Sequence, residues 1–191
     1  MTDLQLGQAP RRIDCGACVL RPWRWDDREA LVRHANDRSV WRGVRDSFPH
    51  PYTGSDADAW LARAAGDPPP PWVFAIEVDG EACGTVGLTM RDDIYRGSAE
   101  LGYWLGAVHR GRGIATAAVR AVTAAALGEG GLIRVQAHVF SINPASARVL
   151  EKAGYEREGV LRRSGIKDGI LLDRIVFAAT RDPGLPYVPA A

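Results

Sequence analysis

The stretch HRGRGIATAAVRAV, residues 109–122, places two glycines between arginines directly in front of an alanine-rich segment. Apolar residues then recur at helical spacing, which predicts a helix over about residues 111–127. The first backbone N–H groups of a helix lack intrahelical partners, and the helix dipole is positive there. Glycines let an anion approach those amides, and Arg110 and Arg112 add positive charge. The stretch therefore predicts a turn that can hold a phosphate, although plain turn chemistry would use the same residues.

Two well-known nucleotide signatures do not fit this turn. The chain contains no G-x-x-x-x-G-K-[ST] string, which a Walker loop requires. The dinucleotide fingerprint G-x-G-x-x-G fails because position 116 is threonine, and Ile133 and Arg134 stand where its acidic residue is expected. Neither nucleotide class is therefore predicted.

The order of elements along the chain indicates a mixed α/β fold. The pattern runs β-α-α-β-β-β-α-β-α-β-β, which predicts a mixed sheet with helices on its faces. Asp79-Gly80 between two apolar runs predicts a β-hairpin, and Asn143-Pro144 predicts the start of a helix capped by the asparagine. We expect a single domain over residues 1–191, with a core at about 14–180 and flexible tails at 1–12 and 181–191.

Composition excludes several classes of protein. The 24 basic and 23 acidic residues leave a net charge of +1, which disfavours nucleic-acid binding. No uncharged apolar run approaches the length of a membrane span, and the N-terminus lacks a signal-peptide pattern, so we predict a cytoplasmic protein. Cys15, Cys18 and Cys83 are too few for a disulfide framework. Because Cys15 and Cys18 would point to opposite faces of a strand, they are interpreted as ordinary thiols, and no metal site is predicted.

Three neighbouring segments carry a family resemblance: R-G-R-G-I-A at 110–115, AELGYWL before it, and INPASARVLEKAGY some thirty residues later. Together they resemble the GNAT superfamily of N-acetyltransferases, in particular its Rim-type branch, which acetylates ribosomal-protein N-termini. The resemblance runs from about Leu20 to Ala178. It implies a mostly antiparallel sheet of about six or seven strands, splayed between the fourth and fifth, with helices on both faces. It also implies acetyl-CoA as co-substrate.

The resemblance assigns the donor site residue by residue. The pantetheine arm of CoA would lie along Trp104, Leu105, Gly106 and Val108. The pyrophosphate would be held by Arg110, Gly111, Arg112, Gly113, Ile114 and Ala115. Asn143 and Ser146 would also contact the CoA arm. At position 107 the chain has alanine where many relatives have proline, which should affect rigidity more than binding.

The catalytic groups follow from the chemistry of acyl transfer, which requires a neutral amine and a proton for the departing thiolate. Glu100 is the acid within AELGYWL and is the candidate base, although a strand glutamate can simply face solvent. Many GNAT enzymes carry a tyrosine seven residues after the asparagine, but Leu150 stands there. Ser141 or Ser146 could supply the proton instead, while Ser146 could equally be a helix cap.

The acceptor side is expected to include Trp41, Phe48 and Tyr52, which could form an apolar wall or pack as core. We expect acetyl transfer to a primary amine, most simply a protein or peptide N-terminus, within a ternary complex. A longer donor such as succinyl-CoA, a small-molecule acceptor, or acyl-CoA binding without turnover remain alternatives. A homodimer is possible on this evidence.

Overall fold

The computed structural model describes residues 7–182 and 184 and arranges them as one twisted sheet between two layers of helices. The helices are α1 (Arg28–Ala35), α2 (Arg38–Trp41), α3 (Gly54–Ala64), α4 (Ile114–Leu127) and α5 (Pro144–Lys152). The strands are β1 (Ile13–Asp14), β2 (Val19–Arg21), β3 (Val73–Val78), β4 (Glu81–Met90), β5 (Ser98–Leu105), β6 (Arg134–Phe140), β7 (Glu156–Lys167) and β8 (Ile170–Thr180). Short 3-10 turns lie at Trp25–Asp27, Asp93–Tyr95 and Ala107–His109. Of the predicted tails at 1–12 and 181–191, residues 1–6, 183 and 185–191 lie outside the described residues.

The sheet has the strand order β1-β2-β3-β4-β5-β6-β8-β7. Neighbouring strands are antiparallel except β5 and β6, which run parallel. That parallel pair is joined over three residues only and ends where Glu100 faces Gln136. Beyond this point β5 stays paired with β4, and β6 stays paired with β8. The sheet therefore opens into a V whose apex lies at Glu100. The splay falls between the two strands predicted to open, which are the fifth and sixth rather than the fourth and fifth because the sheet begins with an additional strand, β1.

Each face of the sheet packs against its own helices. On one face, the buried side of α4 and Leu150 of α5 cover apolar residues such as Phe74 and Ile76. On the other face, α1 and α3 pack Leu31 and Leu61 against the sheet. Because side chains of a strand alternate between faces, neighbouring residues of β3 enter different cores. The mixed fold with helices on both faces is thus confirmed.

The start of the chain differs from the prediction. The sheet has one strand more than the upper expected count, because Ile13–Asp14 pairs with β2 in a tight hairpin. Cys15 and Cys18 flank the turn of this hairpin, and the Cys15 N–H donates to the Cys18 carbonyl over 2.9 Å. The expectation that these thiols point to opposite faces of one strand was wrong, since a chain reversal lies between them. Both cysteines are free thiols.

The local sequence predicts a cap from Trp25-Asp26-Asp27 for the first helix and from Ser55 or Asp56 for the helix before GDPPPP, and both helix starts are built differently. Asp27 precedes α1, but its carboxylate accepts no hydrogen bond from that helix. It pairs instead with the guanidinium of Arg21 at 2.7 Å and accepts the Arg24 backbone N–H. Helix α3 is capped by Thr53, with Asp56 completing a capping box, rather than by Ser55 or Asp56 alone. Within the described residues, the helices are all too short or too polar to cross a membrane.

Candidate active site

The gap between β5 and β6 continues into a cleft of about 510 Å³ beside the start of α4. Its walls come from the end of β5, the glycine turn, the start of α5 and the loop after α2. The predicted donor-site residues that line it are Trp104, Leu105, Arg110, Gly111, Gly113, Ile114, Ala115, Asn143 and Ser146. The cleft has the glycine turn and the start of α4 in its wall, which suits a ligand with an anionic end.

The glycine turn owes its shape to backbone conformation. Gly111 and Gly113 have φ values of +76° and +78°, in the left-handed region that favours glycine. Gly113 is the N-cap of α4, so the helix begins at Ile114 rather than at residue 111 as predicted. A Cβ built on either glycine would meet no protein atom within 4 Å. The space above both glycines is therefore open to a ligand, next to the free amides at the positive end of the helix.

The two arginines of the turn have different surroundings. The Arg110 guanidinium donates to the Leu105 carbonyl and to the Ser39 hydroxyl, at 3.2 and 2.9 Å. Arg110 therefore ties the turn to β5 and α2 while lining the cleft. Arg112 is exposed and lies outside the cleft lining.

Two further predicted pantetheine contacts also lie outside the cleft lining. Val108 is 76% exposed, on the 3-10 turn. Gly106 is buried against His34, where a Cβ would lie 2.6 Å from the imidazole Nδ1 atom. Gly106 therefore serves helix packing, and neither residue faces the donor cleft.

A second, wider cavity of about 810 Å³ lies on the α1 and α3 side of the sheet. It shares Tyr103, Trp104 and Ser146 with the donor cleft. Phe48 and Tyr52 form part of its wall, and the Phe48 ring lies 5.7 Å from that of Trp104 and 4.9 Å from that of Tyr52. The two cavities meet at the splayed end of β5, so a group held in one can reach a group held in the other.

Glu100 lies in the second cavity, at the apex of the V. Its carboxylate accepts a hydrogen bond from Arg45, a largely exposed residue of the loop after α2. The Nδ1 atom of His138 lies 3.6 Å from the same carboxylate oxygen and has no hydrogen-bond partner. In the β5–β6 ladder Glu100 lies opposite Gln136. His138 comes two residues after Gln136, so its side chain is on the same face of the sheet as those of Gln136 and Glu100. The splay thus places an imidazole beside the predicted base.

Ser146 and Tyr103 form a hydroxyl pair at the junction of the cavities. Their side-chain oxygens are 2.8 Å apart, and the Tyr103 hydroxyl lies 3.1 Å from the Ser146 carbonyl. Burial raises the pKa of Tyr103 to about 12, so the phenol stays protonated at neutral pH. Asn143 caps α5 as predicted, its side chain accepting the Ser146 N–H over 3.1 Å. The Ser146 hydroxyl is therefore not the cap and is available to the junction.

The remaining sequence-predicted residues lie elsewhere. Ser141 is exposed after β6, its backbone N–H donates to the Asp173 carbonyl, and it lines neither cavity. Trp41 stacks on His50 and carries the Lys167 ammonium 3.9 Å above its ring, also outside both cavities. The structure thus brings together Glu100, Ser146, Phe48 and Tyr52, but not Ser141 or Trp41.

A sheet that splays beside a glycine-rich helix start, with an acid and a hydroxyl at the gap, is the arrangement that the resemblance implies for an acyl-CoA-dependent transferase. Residues 18–156 match the family of acetyltransferase (GNAT) domains. The chain belongs to this family.

Comparison with individual proteins agrees with this assignment. The chain is 41% identical over 103 residues to the "Probable N-acetyltransferase YjcK" of Bacillus subtilis, a match that covers 52% of this chain and 55% of YjcK. The match thus spans about half the length of this curated relative. Mycobacterium smegmatis RimJ, solved with CoA-disulfide, is 26% identical with a TM-score of 0.71, covering 91% of this chain and 86% of RimJ. The ribosomal-protein-S5-alanine acetyltransferase of Vibrio fischeri shares the fold, with 20% identity, a TM-score of 0.71 and coverage of 92% and 99%.

Proposed function

We propose that this protein transfers an acetyl group from acetyl-CoA to a primary amine, by direct attack within a ternary complex. The observation that carries the proposal is the junction at Tyr103 and Ser146, where the donor cleft meets the cavity that holds Glu100. The CoA-bound structure of RimJ supports acetyl-CoA as the donor. In this arrangement the thioester lies in the gap of the sheet, with a carboxylate on one side and a hydroxyl on the other.

The donor is held by the positive end of α4 and by the open edge of β5. The pyrophosphate fits the amides after Gly113, where no side chain intervenes. Beyond Glu100, β5 no longer pairs with β6, so backbone groups facing the gap are available to pantetheine amides and to the thioester oxygen. The same splay therefore supplies both binding and carbonyl polarisation.

Deprotonation of the amine falls to Glu100 with His138 beside it. The arriving ammonium replaces the Arg45 guanidinium at the Glu100 carboxylate, so one cation is exchanged for another. The exchange costs little because an exposed ion pair such as Arg45–Glu100 contributes little to stability. Glu100 then takes one proton from the ammonium, and the neutral nitrogen attacks the thioester carbon. The Nδ1 atom of His138 lies 3.6 Å from the Glu100 carboxylate. His138 therefore stabilises Glu100 as its carboxylate loses and regains its negative charge.

Collapse of the tetrahedral intermediate breaks the carbon–sulfur bond. The departing thiolate takes a proton from Ser146, whose oxygen lies 2.8 Å from the Tyr103 hydroxyl. The Tyr103 phenol, whose pKa is raised to about 12, is protonated at neutral pH and donates its hydrogen bond to the Ser146 oxygen, so the serine passes a proton on without building up full negative charge. The acylated nitrogen gives its second proton back to the Ser146 oxygen, and Glu100 releases the first proton to solvent, so one amide, one thiol and one net proton result and both groups are restored.

The acceptor proposed first is a protein or peptide N-terminal amine. The cavity on the acceptor side is wide, and its wall includes Phe48, Tyr52 and Trp104 beside the acidic Glu100. An extended chain with a cationic end and a small apolar side chain fits this combination of charge and aromatic surface. A ribosomal-protein acceptor is named for the Vibrio fischeri acetyltransferase that shares this fold.

The proposal is tested by following thiol release from acetyl-CoA with a panel of N-terminal peptides, polyamines and aminoglycosides. Peptide-dependent release, with the acetyl group located on the α-amine by mass spectrometry, is the expected result. A parallel succinyl-CoA series identifies the donor. If CoA binds in calorimetry but no amine in the panel or in a labelled cell extract is acylated, the chain is a binding module without turnover.

Replacing Ser146→Ala is expected to lower kcat by about 10- to 100-fold, since it removes the proton donor for the thiolate. The expected loss of kcat is modest for a proton donor because a thiol, with an ordinary pKa of about 8.5, is already a fair leaving group. Tyr103→Phe keeps the ring and removes the phenol, so its loss should be smaller than that of Ser146→Ala. Steady-state kinetics at saturating acetyl-CoA measures both.

Ser141→Ala decides between the two serines proposed from the sequence. Because Ser141 lines neither cavity, kcat should stay within about twofold of wild type. A large loss for Ser141→Ala together with full activity for Ser146→Ala would reverse the assignment of the acid.

A further inference from the structure

Three side chains that can ligate metal ions converge beside the glycine turn, away from Glu100. They are His34 of α1, Glu81 at the start of β4, and His109 of the 3-10 turn before Arg110. Their ligand atoms all lie within 4.8 Å of one another. The proposed acyl transfer uses none of these three groups, so their convergence calls for a separate explanation.

The fold holds His34 and His109 in facing positions. His34 is only 7% exposed, and Gly106 lies so close to it that any Cβ would collide with the ring. The His109 ring lies edge-on to it, with centroids 5.1 Å apart and an interplanar angle of 66°. The Nδ1 atom of His109 is buried and has no hydrogen-bond partner. A buried imidazole nitrogen without a partner leaves a lone pair or a proton unsatisfied, which is costly.

Glu81 supplies the anionic member of the cluster. One carboxylate oxygen lies 2.5 Å from His34 Nε2, and the other accepts from Arg33 over 2.7 Å. Hydrogen bonds from Arg33 and His34 lower the pKa of Glu81 to about 2, so the group is ionised at neutral pH. Arg33 fixes the orientation of the carboxylate from outside, in the way that outer hydrogen bonds orient metal ligands.

We propose that His34, Glu81 and His109 form a binding site for a divalent transition metal ion of the Zn²⁺ type. Two imidazoles and one carboxylate are a donor set that Zn²⁺ uses with water in the fourth position. Tetrahedral ligands at about 2.0 to 2.1 Å from zinc stand about 3.4 Å apart. The 2.5 Å His34–Glu81 contact therefore has to open, and no other pair of ligand atoms, all within 4.8 Å of one another, has to close by more than about 1.4 Å. These are side-chain adjustments within one cluster.

Protons and nearby cations set the affinity of the site. The buried Nδ1 atom of His109 is hydrogen-bonded to no other group of the described residues, so it is free to coordinate. The Nε2 proton that His34 shares with Glu81 leaves when the ion binds. Arg33 and Arg112 repel the ion, which argues for affinity well below that of a closed structural zinc site.

The site joins three elements around the donor cleft. His34 belongs to a helix on the acceptor side, Glu81 begins a central strand, and His109 immediately precedes the arginine that lines the cleft. An ion bound to all three restrains the turn that leads into the glycines. Metal binding should therefore raise the thermal midpoint of the whole protein, because the folded state is stabilised by any ligand it binds selectively.

Calorimetric titration of the metal-free protein with Zn²⁺ tests the proposal, with a thermal melt as the second readout. We expect one equivalent to bind and the melting temperature to rise. His109→Gln should weaken binding by about 100-fold or more while leaving the His34–Glu81 contact and the fold intact. His50→Gln, which removes the imidazole stacked on Trp41, is the matched control and should bind Zn²⁺ like wild type.

Co²⁺ substitution separates this site from the thiols of the β1–β2 hairpin. A His and carboxylate site gives the visible bands of four-coordinate Co²⁺ without thiolate charge transfer in the near ultraviolet. Charge-transfer bands that vanish in Cys18→Ser would place the ion at the cysteines and overturn the proposal. The absence of one-to-one binding in wild type, or equal Zn²⁺ affinity in wild type and His109→Gln, would also overturn it.

Discussion

Glu100→Gln is expected to lower kcat/KM for the amine by about 100-fold or more, which is the usual contribution of a positioned general base. The substitution keeps the size of the side chain and removes its ability to take a proton. Since Glu100 lies outside the donor cleft, the affinity for CoA should not change. Thiol-release kinetics and calorimetric titration with CoA measure the two quantities separately.

Glu158→Gln is the matched control for this variant. Glu158 is also a strand glutamate paired with an arginine, Arg134, but it lies on β7 outside both cavities. His138→Asn extends the experiment: if His138 acts through Glu100, the double variant should lose little more than Glu100→Gln alone. Unchanged kcat/KM in Glu100→Gln would remove this carboxylate from the mechanism.

Asp27→Ala is expected to lower the free energy of unfolding by about 3 to 5 kcal/mol, the usual cost of removing one partner of a buried ion pair. Asp27 accepts two hydrogen bonds from Arg21, each 2.7 Å long, and both side chains are buried. Glu77 remains as a second acceptor for Arg21, which limits the loss. For a protein of this size the melting temperature should fall by about 10 °C.

Asp58→Ala provides the comparison for Asp27→Ala. Asp58 pairs with Arg28 at 2.6 Å, but both side chains are nearly half exposed. Exposed pairs contribute about 0 to 1 kcal/mol, so denaturant unfolding should barely change. If the free energy of unfolding falls equally in Asp27→Ala and Asp58→Ala, then burial of the Arg21–Asp27 pair does not explain how much that pair contributes to stability.

Local sequence patterns predicted the elements of the fold well where the stabilising contacts are themselves local. Asp79-Gly80 forms its hairpin with positive φ at both residues, and Asn143 caps α5. Where a long-range partner competes, the local pattern was wrong: Asp27 pairs with Arg21 of β2 instead of capping α1. A buried arginine attracts a carboxylate more strongly than a backbone amide at a helix end does.

The candidate site was predicted only in part, for the same reason. The family pattern places a tyrosine on α5, where this chain has Leu150, whereas the phenol that reaches Ser146 belongs to Tyr103 of β5. Alternation along β5 could have indicated that Tyr103 and Glu100 face opposite sides of the sheet. No sequence pattern could place His138 beside Glu100, because that contact depends on where the parallel pairing of β5 and β6 stops.

The sequence by itself determined the glycine turn, its helix and the anionic ligand that they suit, because backbone conformation and free amides are local properties of a short segment. The acyl-CoA donor followed from the family resemblance. Only the tertiary structure decided which hydroxyl meets the thioester, which histidine stands by the base, and that His34, Glu81 and His109 converge. Those side chains come from separate elements, and their distances are fixed by packing across the splayed sheet rather than by spacing along the chain.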